Sequence, residues 1–136
     1  MEKSLQAQVQ RNIEQKGLYS YMNNTKWDEL ITAVREEMPF PPPYKMKFVT
    51  ETVEDWEQDF KEDVYYLCYW CGEEFPTKDY YFNIEWLKVR PRYLEHRGKL
   101  VAPAVIDASP KFEEILTRYN IPFELEEGTY CIYGYR

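Results

Sequence analysis

Two cysteines separated by two residues, Cys68 and Cys71, have the spacing in this chain that is most typical of a chemical site. Two thiolates at a turn bind one metal ion together, and Gly72 directly after the second cysteine favours such a turn. A structural zinc site needs four ligands, and the chain also contains a single histidine, His96, and a third cysteine, Cys131. These four residues predict a small zinc-binding protein as one functional hypothesis.

The same cysteine pair has two other interpretations. Redox pairs normally sit at a helix N-terminus, which lowers the thiolate pKa. Here the pair ends a predicted strand and precedes Glu73 and Glu74, whose negative charges oppose a lowered pKa, so a redox role is disfavoured. The interpretation that the sequence favours is two ordinary cysteines that behave as small hydrophobic side chains. We therefore predict no cofactor, with zinc as the alternative.

A run of carboxylates interspersed with aromatic residues, residues 51–75, contains this pair. Residues 51–79 carry ten carboxylates against two lysines, a local charge of −8, and the whole chain has a net charge of −7. Exposed carboxylates steer a basic protein towards the surface, and aromatic residues anchor it once bound. The candidate partner-binding residues are Glu54, Asp55, Trp56, Glu57, Asp59, Glu62 and Asp63. The alternative is a solvated helix face.

Composition excludes several other classes of function. The net negative charge disfavours nucleic acid and anionic membranes as partners, since both are themselves negatively charged. No oxyanion motif accompanies a cysteine, and the five glycines form no phosphate-binding pattern, so we do not predict an enzyme. The first 16 residues lack the apolar core of a signal peptide, and no segment approaches about 20 apolar residues. We expect a cytoplasmic protein.

The spacing of apolar residues predicts the elements that would position these groups. A chain of 136 residues corresponds to one domain, and we place an N-terminal helical extension at residues 1–21 before a single α+β domain at 22–136. Helices are predicted at residues 3–16, at 25–38 with Thr25 as its cap, and over the acidic run from Thr52. A further helix is predicted with Ser109 as its cap and Pro110 at its first position.

Alternating and aromatic segments predict the strands. These are residues 44–50, 64–70 and 80–89, a short edge strand or loop at 100–106, and a C-terminal hairpin that turns at Glu127-Gly128. We therefore predict an α+β fold, with a mostly antiparallel sheet and helices packed on one face, in the order α-α-β-(α)-β-β-α-β-β.

Three short motifs carry a family resemblance. The stretch Asn23–Leu30 (NNTKWDEL), the triplet Ile84-Glu85-Trp86 and the ending Gly128–Tyr135 (GTYCIYGY) resemble a family of short bacterial proteins known only as a domain of unknown function. The likeness covers residues 22–136 and supplies no catalytic residues. The acidic, tyrosine-rich profile is also similar in character to bacterial immunity proteins that neutralise secreted toxins.

The leading hypothesis is a non-enzymatic domain that binds a basic protein, in its most specific form an immunity-type inhibitor of a basic toxin. The motivating feature is the acidic and aromatic run at residues 51–75, together with the low isoelectric point of 4.8. The sequence leaves the oligomeric state undetermined.

Overall fold

The computed structural model describes residues 4–52, 59–72 and 75–136. The elements in chain order are α1 (Leu5–Lys16), α2 (Asn24–Glu37), β1 (Tyr44–Phe48), a 3-10 helix (Lys78–Asn83), β2 (Ile84–Val89), β3 (Arg92–Glu95), β4 (Ala104–Asp107), α3 (Ser109–Arg118), β5 (Glu124–Glu126) and β6 (Thr129–Tyr133). The strands form a four-stranded sheet in the order β1-β2-β6-β5 and a two-stranded sheet of β3 and β4. All these pairings are antiparallel, so the predicted α+β fold with a mostly antiparallel sheet is confirmed.

The main core lies between one face of the four-stranded sheet and two helices. Helix α2 contributes five buried residues and α3 contributes three, because apolar side chains recur along each helix with a period of 3.6 residues. The sheet side of this core includes Leu87 and Val89 of β2 and Ile132 of β6, all fully buried. Ion pairs from Glu37 of α2 to Lys111 and Arg118 of α3 join the two helices at the surface.

Strand β2 contains a bulge that breaks the predicted alternation. Lys47 of β1 pairs with Trp86, but the next residue, Phe48, pairs with Ile84, so Glu85 is an extra residue. A bulge of this kind turns two successive side chains to the same face. As a result Ile84 and Leu87 both belong to the main core, whereas strict alternation over residues 80–89 placed them on opposite faces.

Helix α1 packs outside the main core. Its buried residue is Val9, and Gly17 ends the helix in the left-handed conformation. The Asn12 side-chain amide donates to the Val49 carbonyl oxygen at 3.4 Å, and Lys16 lies 3.8 Å from Glu85. After the helix, the Tyr19 and Arg136 backbones exchange hydrogen bonds of 3.0 and 2.9 Å, which ties the segment after α1 to the C-terminal end.

The C-terminal hairpin forms as predicted. Glu127 and Gly128 both have positive φ angles, 50° and 84°, which is the geometry of a type I′ turn. After the hairpin the chain runs against β2, where Gly134 donates to the Glu85 carbonyl oxygen at 2.8 Å. A Cβ atom on Gly134 would collide with the Ile84 carbonyl oxygen, so this close approach requires glycine.

Several predicted elements are corrected. Residues 64–70 are not a strand, and the predicted strand at 80–89 begins only at Ile84, after the 3-10 helix. The acidic helix predicted from Thr52 falls mainly on residues 53–58, outside the described part of the chain, and residues 59–63 are not helical. The cap of α2 is Asn23 rather than Thr25, and its side chain accepts from the Lys26 N–H at 2.8 Å.

The cap of the last helix is also displaced by one residue. Ala108 occupies the N-cap position of α3, and Asp107 accepts a hydrogen bond of 2.8 Å from the Ser109 N–H. Ser109 therefore lies inside the helix, with its predicted role taken by the preceding aspartate. In the described residues no helix is both long and apolar enough to span a membrane.

Candidate partner-binding surface

The candidate surface is carried by residues 59–72, which we call the connecting segment because they lie between β1 and the 3-10 helix. The segment is fixed at its first end by Asp63. One carboxylate oxygen of Asp63 accepts from Arg90 Nε at 2.9 Å and from Arg92 Nε at 2.7 Å, and the other accepts from Arg92 Nη2 at 2.9 Å. The Arg90 side chain is 6% exposed and that of Asp63 is 15% exposed, so these bonds form away from bulk water.

The charges around Asp63 decide its protonation. Burial raises the pKa of the Asp63 carboxyl, but the hydrogen bonds from Arg92 and Arg90 outweigh burial, and the pKa is lowered overall. The bonds from Asp63 in turn raise the pKa of Arg92, whose guanidinium also lies 3.6 Å from Asp107. Asp63, predicted to bind a partner, is therefore occupied within the fold.

Arg90 connects this end to the C-terminal hairpin. Its Nη1 donates to the Glu127 carbonyl oxygen at 2.5 Å and to the Thr129 hydroxyl at 3.0 Å. The Thr129 hydroxyl donates to the carbonyl oxygen of Phe60, and the Phe60 ring is buried with Lys45 Nζ 5.4 Å from its centre. The start of the segment is therefore held by both side-chain and backbone groups.

Trp70 fixes the other end. Its ring is 2% exposed, lies 5.4 Å from the Tyr44 ring and 5.6 Å from the Phe75 ring, and belongs to the main core. The indole N–H donates to the Pro42 carbonyl oxygen at 2.9 Å, and Arg35 Nε donates to the Trp70 carbonyl oxygen at 2.5 Å. The proline-rich connection after α2 thus provides an acceptor for the buried indole.

Between these two ends three tyrosines and one leucine face solvent. We call Tyr65, Tyr66, Leu67 and Tyr69 the aromatic strip; they are 51%, 53%, 36% and 77% exposed. The strip is positioned by a backbone hydrogen bond of 2.7 Å from the Leu94 N–H to the Val64 carbonyl oxygen. The Tyr65 ring also stacks on the His96 ring with 4.5 Å between centres. The strip is therefore exposed, and its first residues are held against the end of β3.

Two of the predicted acidic residues border this strip. Asp59 and Glu62 are exposed, and together with Tyr66 they line an open cleft of about 620 Å³. Lys45 and Lys61 also line this cleft, with Lys61 ion-paired to Glu126 at 3.1 Å. The other predicted partner-binding residues, Glu54, Asp55, Trp56 and Glu57, lie outside the described residues.

The four predicted zinc ligands are not brought together. Cys68 is half-buried with its Sγ 3.9 Å from the Tyr44 carbonyl oxygen, Cys71 is exposed, and Cys131 is buried in β6. His96 stacks on Tyr65. Within residues 4–52, 59–72 and 75–136, no three histidine, cysteine or acidic side chains are arranged to hold a metal ion.

Two contacts in this region were not predicted from the sequence. Arg90 and Arg92 lie 27 and 29 positions after Asp63 in the sequence, and only the fold brings them to it. His96 acts as a stacking surface for an aromatic residue 31 positions earlier, and no spacing rule connects them. Both contacts join segments that are distant in sequence, so local pattern could not reveal them.

Comparison with protein-family models matches residues 9–136 to the "Family of unknown function (DUF6678)". The chain belongs to this family. The DUF6678 match begins inside α1 and includes the whole connecting segment, and the resemblance to a domain of unknown function is confirmed. No curated protein and no solved structure matches the chain.

Proposed function

We propose that this DUF6678 protein is a non-enzymatic protein-binding domain of the bacterial cytoplasm. Its partner is a basic protein, and the most specific form of the proposal is an immunity-type inhibitor of a basic toxin. The partner would bind the connecting segment, with the aromatic strip at the centre of the interface and Asp59 and Glu62 at its rim.

The observation that carries this proposal is the aromatic strip itself. Tyrosine offers a large contact area and a polar tip, and it is enriched among the residues that dominate binding energies. Here Tyr65, Tyr66 and Tyr69 are exposed although Phe60 and Trp70 of the same segment are buried. Because both ends are fixed, the strip would lose little conformational freedom on binding, which favours affinity.

Electrostatics supports a basic partner. The chain has a net charge of −7, and Asp59 and Glu62 are exposed beside the strip. Carboxylates at the rim of an interface raise the association rate of a positively charged protein more than they raise its final affinity. The pairing of Asp63 with two arginines removes that residue from the proposed contact set.

The test is to isolate a partner from the native host and to measure its affinity for designed variants by calorimetry. Replacing Tyr65, Tyr66 and Tyr69 together by alanine should weaken binding at least about 100-fold, since exposed aromatic anchors carry most of such affinities. The double variant D59K/E62K should mainly slow association, by about tenfold at low salt.

The matched controls use exposed residues elsewhere on the chain. Tyr19 and Tyr80 are 74% and 52% exposed and lie outside the connecting segment, so their alanine variants should bind normally. Glu36 is an exposed acid on α2, and E36K is the control for charge reversal. A partner whose affinity ignores both the tyrosine and the charge variants would refute this surface.

A further inference from the structure

The loop between β3 and β4, residues 96–103, exposes aliphatic side chains. We call it the tip loop. Leu100 is 99% exposed and Val101 is 60% exposed, and Val105, just after the loop, is 46% exposed. One exposed aliphatic residue needs no explanation, but three exposed aliphatic residues within positions 100–105 make this loop a candidate interaction site.

The charges of the tip loop are opposite to those of the connecting segment. The loop contains Arg97 and Lys99 and no acidic residue, and both basic side chains are exposed. Arg97 also lies 3.6 Å from Glu95, the last residue of β3, so Lys99 carries most of the unpaired positive charge of the loop. The exposed acids of the connecting segment are Asp59 and Glu62, and its exposed lysine, Lys61, is ion-paired with Glu126 at 3.1 Å. The chain therefore carries a basic, aliphatic surface and an acidic, aromatic surface that complement each other.

These two surfaces are neighbours in the folded chain. The Leu94 N–H bonds to the Val64 carbonyl oxygen at 2.7 Å, and the rings of His96 and Tyr65 stack at 4.5 Å. A surface whose two halves complement each other is self-complementary about a two-fold axis, because each half meets the opposite half of the second copy. Contacts of this kind close at two copies.

We propose that two copies of this chain associate through this surface. The tip loop of each copy, through Leu100, Val101, Arg97 and Lys99, docks on the connecting segment of the other copy, against Tyr66, Asp59 and Glu62. This inference goes beyond the proposed function and does not depend on a foreign partner. The proposed contact rests on a few side chains from each copy, so we expect a dissociation constant in the micromolar range.

The first experiment is sedimentation velocity over a concentration series from about 1 to about 300 μM, which brackets micromolar affinity. The wild type should convert from monomer to dimer across this range. L100D should remain monomeric, because it places a charge in the apolar contact, and an exposed position does not endanger folding. The control is L125D, at another exposed leucine on β5, which should dimerise like the wild type.

The second experiment is a charge exchange. The variants R97E/K99E and D59K/E62K should each weaken dimerisation by about tenfold, because each places like charges opposite one another. The fourfold variant that combines them restores opposite charges across the interface and should dimerise with nearly the wild-type constant. This recovery distinguishes a direct contact from a general effect of net charge.

Defined results would overturn the inference. In the first experiment these are a wild type that stays monomeric up to about 300 μM, an L100D variant that dimerises normally, or open-ended assembly instead of a dimer. In the second experiment it is a fourfold variant that fails to recover wild-type dimerisation. The proposed function is separable, since L100D leaves the connecting segment unchanged and should still bind the foreign partner. Because the second copy would cover Tyr66, Asp59 and Glu62, the foreign partner is sought with L100D. A monomeric wild type that binds that partner overturns only the dimer, whereas a dimer whose L100D variant binds none overturns only the proposed function.

Discussion

The connecting segment has two kinds of position that look alike in sequence and differ in structure. Asp63 and Trp70 are an acid and an aromatic residue that are buried and bonded within the fold. Asp59 and Tyr69 are an acid and an aromatic residue that face solvent. An acidic, aromatic composition therefore does not by itself define a binding surface. The inward positions fix the segment, and that allows the outward positions to present a surface.

The aromatic side of this comparison should show the largest difference in stability. Trp70→Ala removes a core ring and leaves the Pro42 carbonyl without its indole donor, so it should lower the free energy of unfolding by about 4 kcal/mol. Tyr69→Ala, at a side chain 77% exposed, should change it by less than about 0.5 kcal/mol. Urea denaturation measures both. Equal losses of unfolding free energy at the two positions would mean that Trp70 does not fix this end of the connecting segment.

The two acids, Asp63 and Asp59, should show the next largest difference in the free energy of unfolding. Asp63→Ala leaves the nearly buried Arg90 guanidinium without its carboxylate, and breaking a buried pair costs about 3 kcal/mol. Asp59→Ala is the matched control on the same segment, where we expect less than about 0.5 kcal/mol. The same denaturation experiment decides between them. A mild effect at Asp63 would show that the arginines find other acceptors.

The smallest expected effect is on the pH dependence of folding stability. The pKa of Asp63 is lowered from its ordinary value of 3.8 by the two arginines, which outweigh burial. A carboxyl whose pKa is lower in the folded state stabilises the protein above the unfolded pKa, and this contribution is lost as the pH falls through the folded pKa. Wild type should therefore exceed D63N in stability at neutral pH, and the difference should shrink below about pH 4.

Thermal unfolding of both proteins between neutral pH and about pH 2 measures this difference. Glu37, whose pKa is lowered to about 2 by Arg118 and Lys111, is present in both proteins, so its effect cancels. D59N is the control, because Asp59 lies on the same segment and is exposed. A difference between wild type and D63N that stays constant as the pH falls would contradict the ionic role of Asp63.

The helices and the C-terminal hairpin were predictable because their signals are local. The apolar periodicity of residues 25–38, the Ser109-Pro110 start and the Glu127-Gly128 turn each fix nearby backbone through contacts a few residues apart. The caps were misplaced by one or two residues because several polar residues there compete for the same role.

The errors lie where the outcome depends on distant segments. Residues 64–70 have the aromatic composition of a strand, but along this segment one backbone bond to Leu94 replaces a strand ladder. The two-stranded sheet was only partly anticipated, because the sequence predicts no strand over β3 and only an edge strand or loop at 100–106, where β4 lies. The bulge at Glu85 depends on the register with β1, which no single segment contains.

The sequence alone determined the α+β class, the main helices, the acidic character and the family resemblance, because these follow from composition and from spacings within one segment. Only the tertiary structure decided that Asp63 is paired with arginines whereas Asp59 is exposed. It also decided that Trp70 is buried in the core whereas Tyr69 faces solvent. The physical reason is that burial and ion pairing depend on what the fold brings alongside a residue, as Arg90 is brought to Asp63 and His96 to Tyr65.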